Sequence, residues 1–318
     1  METKIDESYM GRPICGFWRR CVAFVVDTII LGLLGVVLGS MLGQQFAMLG
    51  TLGSLVGFII AICYLGIMNS HVGNGQSIGK KLLKICVVNK EGNLISIKRS
   101  CVRAAIVSVI VCNGLSLNSV PLLGHVIAGI VAVVFIGIIY FYLFNKKTRQ
   151  GIHDIICGSY VYKVAAIGTP ITATVSRVHY ITYAVILIVI TIASYTSLNE
   201  NKDISFTLQE LNKIDGAYAA NVNYMTRKKV FDPKVGVVDG KASTKLTATI
   251  FVYKNSKTDD ELKDEIARVV LNTYPAMQNV QILIVNIRRG YNIGIAQEYT
   301  DSWTSGSAQK WKEKLQLN

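Results

Sequence analysis

An aspartate, Asp27, stands inside the apolar run Val22–Leu42, seven residues after Arg20. Seven residues are close to two helical turns, so in a helix the two share a face, with Asp27 about 10 Å further along. A carboxylate near the middle of a membrane helix costs about 2.5–3.5 kcal/mol on the insertion scale, so it needs a proton, water or a partner. Two chemistries follow. Asp27 handles a proton or cation, or it forms a structural ion pair with an arginine from a neighbouring span or loop. Arg20, at the mouth of the same run, either snorkels to lipid headgroups or pairs with a carboxylate such as Asp154. His153 and Asp154 are adjacent in a basic stretch. A His–Asp pair suits a proton relay, but neighbours in a helix point apart, which favours a locking role for Asp154. Lys80 and Lys81 close the segment Gly75-Gln-Ser-Ile-Gly-Lys-Lys81. Only three residues separate its glycines, and Lys replaces Ser/Thr after the first lysine, which excludes a nucleotide phosphate loop. No Ser/His/Asp triad, paired carboxylates or metal-ligand spacing is visible, so the sequence predicts no enzyme, no cofactor and no metal.

The elements that position these groups follow from composition. Of the 318 residues 51% are hydrophobic and 17% charged, against about 25% charged in ordinary soluble domains. Residues 1–197 hold 16 Lys/Arg and 6 Asp/Glu, while residues 198–318 hold 17 and 14. The chain therefore reads as two regions in two solvents. All seven cysteines fall in the first half without CxxC spacing, as small apolar residues in or near lipid. The acidic start, Met1–Met10, lacks the basic stretch of a signal peptide. Apolar runs at Val22–Leu42, Phe46–Met68, Arg103–Leu117, Leu122–Phe144 and Tyr180–Tyr195 predict four to five membrane helices. Gln44-Gln45 and Asn113–Pro121 are expected as turns, and the Arg103–Leu117 arm is short.

Basic residues collect before the first run and in the loops around Lys80–Arg103 and Lys146–Arg177. By the positive-inside rule those loops are cytoplasmic. The fold class expected is an α-helical integral membrane bundle followed by a small soluble α+β domain. Residues 1–20 form the cytoplasmic N-terminus, 21–197 the membrane domain and 198–318 an extracytoplasmic domain. A bacterial inner (plasma) membrane is the expected location. Ser77–Leu83 reads as a short amphipathic helix, and Ile85–Asn89 with Leu94–Ile97 as a β-hairpin around Gly92. In the C-terminal region Thr244–Tyr253 alternates as a half-buried strand, and Thr258-Asp-Asp-Glu261 caps a helix over Asp259–Thr273 that Pro275 ends. Val280–Ile287 and Tyr291–Tyr299 are expected as strands joined at Arg289-Gly290, with a closing helix over Gln309–Leu317.

Three segments carry a family resemblance: Gly16-Phe-Trp-Arg-Arg-Cys-Val-Ala-Phe-Val-Val-Asp27, Gly75–Val88, and Lys147-Thr-Arg-Gln-Gly-Ile-His-Asp154. Together, over about residues 10–165, they resemble the RDD family of membrane proteins. The family is named for one Arg and two Asp, which here would be Arg20, Asp27 and Asp154. The resemblance implies a transporter of a small cation, proton or osmolyte, with Asp27 as its titrating group. It also implies that Asp154 packs against the spans, bonding Arg20 or the Lys80–Lys84 helix. The competing reading is a non-transporting anchor, sensor or assembly factor, because a minimal transporter needs no appended domain. Its outer domain would bind a protein or envelope component, with Tyr218, Tyr224, Trp303 and Trp311 as candidates for the contact patch or for core. The remaining expected partners are the lipid bilayer itself, anionic lipid at the lysine-rich loops, and a second copy of the chain through Gly35, Gly39, Gly43 and Gly53–Gly57, glycines that more commonly pack spans one and two against each other within a chain. No nucleic acid is expected.

Overall fold

The computed structural model describes residues 13–112, 121–200, 202–232, 236–253, 257–274 and 276–317. The expectations for Met1–Met10, for the turn residues 113–120 and for Pro275 lie outside them. The first helix, α1 (Phe17–Met48), buries one stripe: Arg20, Ala23, Asp27, Leu31, Gly35, Gly39 and Phe46. That spacing of three and four is one helical face. Its other faces expose Val25, Ile29, Leu33, Val36 and Val37, each at least half exposed, which suits contact with hydrocarbon. α2 (Gly53–Met68) likewise buries one side, through Gly57, Ala61 and Leu65. α5 (Pro121–Phe144) and α7 (Arg177–Glu200) are 24 residues each, about 36 Å long. They pack through Tyr183, whose hydroxyl donates to the Val133 carbonyl at 2.6 Å.

At the N-terminal end of α1 the loops fold into a compact layer. It contains α3 (Ile78–Leu82), the strand β1 (Ile85–Val88), α6 (Ile152–Ile156) and the strand β2 (Tyr160–Lys163). β1 does not form the expected local hairpin. It pairs antiparallel with β2, from Ile85 opposite Lys163 to Val88 opposite Tyr160, and touches Leu94 only through one bridge at Val88. Both faces of β1 are apolar and fully buried, and Tyr160-Val-Tyr162 offers it a more apolar, β-forming partner than Leu94-Ile-Ser.

The C-terminal region is a four-stranded sheet with helices on one face. β3 (Ala217–Asp232), β4 (Gly236–Val252), β5 (Ile282–Asn292) and β6 (Gln297–Gly306) lie in that order. β4 and β5 are parallel, joined through α9 (Asp259–Thr273); the other pairs are antiparallel. Leu246, Ala248, Ile250 and Val252 of β4 are fully buried, as their alternation predicts. They pack on α9, on α8 (Lys202–Leu211) and on α10 (Ala308–Leu315), with Trp311 in the core. The Thr258 hydroxyl accepts from the Glu261 N–H at 3.3 Å, and Glu261 accepts from the Thr258 N–H at 2.8 Å. This closes the predicted capping box.

The structure corrects three further expectations. α1 is kinked at Leu42 (φ −124°, ψ 18°) but continues through Gln44-Gln45, and the chain turns at Gly50 (φ +53°). α4 (Ile97–Val111) has 15 residues, about 22 Å, too short to cross a bilayer alone. Among the described residues two helices are both long and apolar enough to span by themselves, Phe17–Met48 and Gly50–Met68. β5 continues through Arg289-Gly290, where Gly290 lets the backbone pass close to Glu298. The β5–β6 turn instead falls at Asn292-Ile-Gly294, with the Gly294 N–H donating to Asn292 Oδ1 at 2.7 Å.

That turn changes the reading of the glycines. The β5–β6 tip, Tyr291–Ala296, enters the bundle between α1 and α2. A Cβ added at Gly39 would lie 1.7 Å from the Tyr291 hydroxyl, at Gly35 2.8 Å from the Ala296 Cβ, and at Gly57 1.9 Å from the Ile293 carbonyl oxygen. Phe46, Tyr291 and Ile293 form one apolar cluster; Leu31, Ala61, Cys112 and Ile295 form the next, deeper one. Gly43 to Gly32 is about 16 Å of helix, so the hairpin reaches the depth at which α4 stops. The glycines predicted to join helix to helix join helix to hairpin instead.

Candidate functional site

The polar residues singled out in the sequence converge at the opposite end of α1's buried face. Asp154 is fully buried and accepts four donors. Arg103 Nε reaches Oδ1 at 2.8 Å, Ser159 Oγ reaches Oδ1 at 3.0 Å, the Gly151 N–H reaches Oδ2 at 3.3 Å, and Arg20 Nη1 reaches Oδ2 at 3.5 Å. The Gly151 bond arises because Asp154 is the third residue of α6, where a carboxylate can reach back to the cap. Arg20 also donates to the carbonyls of Arg149 and Val161 and lies over the Tyr142 ring, 5.2 Å from its centroid. One carboxylate thus ties together α1, α4, α6 and the chain entering β2. The two arginines hold the Asp154 carboxyl below its usual range, against a desolvation that acts the other way.

His153 is 2% exposed. Its Nε2 accepts from Arg103 Nη2 at 3.1 Å and lies 3.5 Å from Asp154. Burial, reinforced by the surrounding cations, pushes His153 down to about 3, so it is neutral at physiological pH. The adjacent pair therefore meets through Arg103. A relay would need Nε2 free, and that atom is already an acceptor.

Asp27 is used differently from either sequence reading. Its Oδ1 accepts from Tyr64 Oη at 2.8 Å and from the Gly79 N–H at 2.9 Å, and its Oδ2 accepts from Ser77 Oγ at 2.5 Å. The Ile78 N–H donates to Tyr64 Oη at 3.2 Å. Asp27 and Tyr64 thereby satisfy the first free N–H groups of α3 from outside the helix. Gly79 permits this, since a Cβ there would sit 2.2 Å from the Ala23 carbonyl oxygen. No arginine or lysine lies within ion-pairing distance of Asp27 among the described residues. Ile78 and Leu82 of α3 are exposed, and Lys80 turns inward, donating to Ser77 Oγ at 3.3 Å. Lys81 lies on the outer side and joins none of these contacts.

Between these clusters lies a cavity of about 310 Å³. Its polar lining includes Arg20, Asp27, Asn69, Lys80, Arg103 and His153, and its apolar lining Phe24, Val107, Phe135, Ile138 and Ile139. Among the described residues no group of His, Cys, Asp and Glu could hold a metal. Sequence reasoning places Arg103 among the orienting charges and assigns no role to Tyr64 or Ser77. A signal for Arg103 exists in Ser96, which caps α4 by accepting from the Arg99 N–H. That start puts Arg103 two turns inside the helix.

No curated protein and no solved structure matches the chain. No family model matches the C-terminal region, and residues 14–158, which contain the Arg20, Asp27 and Asp154 positions together with the cavity they surround, match the model of the RDD family, so this part of the chain is similar to RDD membrane proteins.

Proposed function

We propose that the protein is a non-transporting membrane sensor or assembly factor. Its C-terminal domain engages a protein or envelope component, and its β5–β6 hairpin passes the bound state to the RDD region. The observation that carries this reading is the hairpin seated on the glycine face of α1 and α2. The hairpin and the end of α4 together occupy the space through which a solute would follow α1. Asp27 supports it too, because three donors already occupy the carboxylate that a cation would have to share. The C-terminal domain lies at the end of α1 away from the basic loops. With the arm that begins at α4 counted as a fifth passage beside α1, α2, α5 and α7, the positive-inside rule then makes it extracytoplasmic, in a bacterial inner membrane. On the sheet face away from the helices Trp303 is 64% exposed, an anchor of the kind that interfaces favour.

The cavity beside Asp27 favours a second reading, transport of a small solute. The test is ion-driven pH change in proteoliposomes under Na⁺, K⁺ and Li⁺, for the wild type and Asp27→Asn. The proposal expects no flux from folded protein of either kind. Flux that Asp27→Asn abolishes while the protein stays folded contradicts it.

A further inference from the structure

The cavity carries more positive charge than the protein neutralises. Arg20, Lys80 and Arg103 contribute three cations, Asp27 and Asp154 two anions, and His153 none. Both carboxylates are already engaged, Asp154 by four donors and Asp27 by three. Lys80 has no carboxylate within ion-pairing distance among the described residues. Three buried polar atoms of lining residues also lack partners: Arg20 Nε, Asn69 Oδ1 and His153 Nδ1. Arg20 is 5% and Asn69 1% exposed. The Asn69 amide nitrogen is committed to the Leu65 carbonyl at 2.7 Å, so Oδ1 is left as an acceptor. His153 Nε2 accepts from Arg103, so Nδ1 carries the proton. Orphaned buried groups of this kind are uncommon in native proteins and ask for an explanation.

The other half of the cavity specifies what accompanies the anion. Phe24 of α1 and Phe135 and Ile139 of α5 line it and are 39%, 47% and 38% exposed. The space between these helices is therefore a lateral window with apolar jambs. Water-borne anions have no use for such a window, whereas a bilayer amphiphile enters by it, headgroup towards the arginines and chains towards the lipid.

We infer that this cavity is a binding site for the phosphoryl headgroup of an acidic membrane lipid, with Lys80, which no carboxylate pairs, as its principal cation. The site is separate from the hairpin and stands whether or not the sensor reading holds. It also differs from diffuse attraction at the loop lysines, because Lys80 is inside the cavity and Lys81 outside. Burial and the nearby Arg103 and Arg20 push Lys80 down to about 8, with Asp27 and Asp154 opposing. A lysine disfavoured in this way gains charge stabilisation from a bound anion.

The test uses the full chain in phosphatidylcholine nanodiscs, titrated with acyl-labelled phosphatidic acid, with inorganic phosphate as a separate arm. Lys80→Gln removes none of the donors to Asp154 or Asp27, and Lys81→Gln is the control for surface charge. The expected result is saturable binding of the acidic lipid, weakened about tenfold by Lys80→Gln and unchanged by Lys81→Gln. The affinity should fall as pH rises through about 8 in the wild type only. Equal loss in both variants would reduce the effect to surface electrostatics and overturn the inference. Protection by inorganic phosphate as strong as that by lipid would overturn the lipid assignment, and absence of saturable binding would overturn the site.

Discussion

At one end of α1's buried face, Arg20 and Asp27 meet the loops through charge; at the other, Gly35, Gly39 and Gly43 meet the hairpin through the absence of side chains. The charged end concentrates its stability in a few groups. Asp154 alone holds two arginines, a serine and a backbone amide, so losing it strands two buried cations. The glycine end depends on shape, distributed over many small contacts with Tyr291, Ile293, Ile295 and Ala296. A helix face that must bind two unlike partners can therefore be written with two vocabularies, and each should fail in its own way when altered.

The largest effect should come from Asp154→Ala. Removing one partner of a buried pair costs about 3–5 kcal/mol, so thermal unfolding in detergent should shift sharply, or folded protein should not be recovered. Gly57→Leu attacks the other end. Its side chain would meet the Ile293 backbone and not a flexible tip, which places the overpacking cost at about 3 kcal/mol. Limited proteolysis should then cut the β5–β6 tip while the Asp154 cluster stays intact. The two substitutions should be additive, since they share no partner; strong coupling would mean that the two ends communicate through α1.

Acid should affect only the charged end. The folded-state value for His153 lies at about 3, below its ordinary 6.5, so the unfolded chain takes up a proton first as pH falls. Stability is full above about 6.5 and declines by about 1.4 kcal/mol per pH unit down to about 3. Melting between pH 7 and 5 should therefore show a loss of about 2 kcal/mol that His153→Gln removes. Asp154 adds its own loss only at lower pH, since its depressed value keeps it ionised below 3.8. The smallest effect is Tyr64→Phe, which deletes one donor to Asp27 and one acceptor for the Ile78 N–H, at about 1–2 kcal/mol in the same melt.

Much of this was legible in residue order. Apolar length placed α1, α2, α5 and α7, alternation placed β4, and Thr258 with Glu261 placed α9, because each signal is local. The failures are all long-range. The β1–β2 pairing joins residues more than seventy positions apart in sequence, and no local pattern distinguishes Tyr160–Lys163 from Leu94–Ile97 as the partner. Asp27 was legible as a buried carboxylate needing a partner, but its partners lie on α2 and α3 and include a backbone N–H, which has no residue letter. The glycine stripe was legible as a site of close approach. Its guest was not, because Tyr291–Ala296 reads as an ordinary strand segment until the turn at Gly294 is known.

The claim that most needs testing is that the C-terminal hairpin sits on α1 within the same chain. In a background with the seven native cysteines replaced by alanine, Gly35→Cys and Ala296→Cys should be combined and mildly oxidised in native membranes. Close packing of these two positions predicts an intrachain disulfide, whereas Trp18→Cys with Ala296→Cys, at the far end of α1, should give none. Absence of the intrachain bond, together with chain-to-chain dimers from Gly35→Cys alone, would show that the glycine stripe joins two copies and contradict the account.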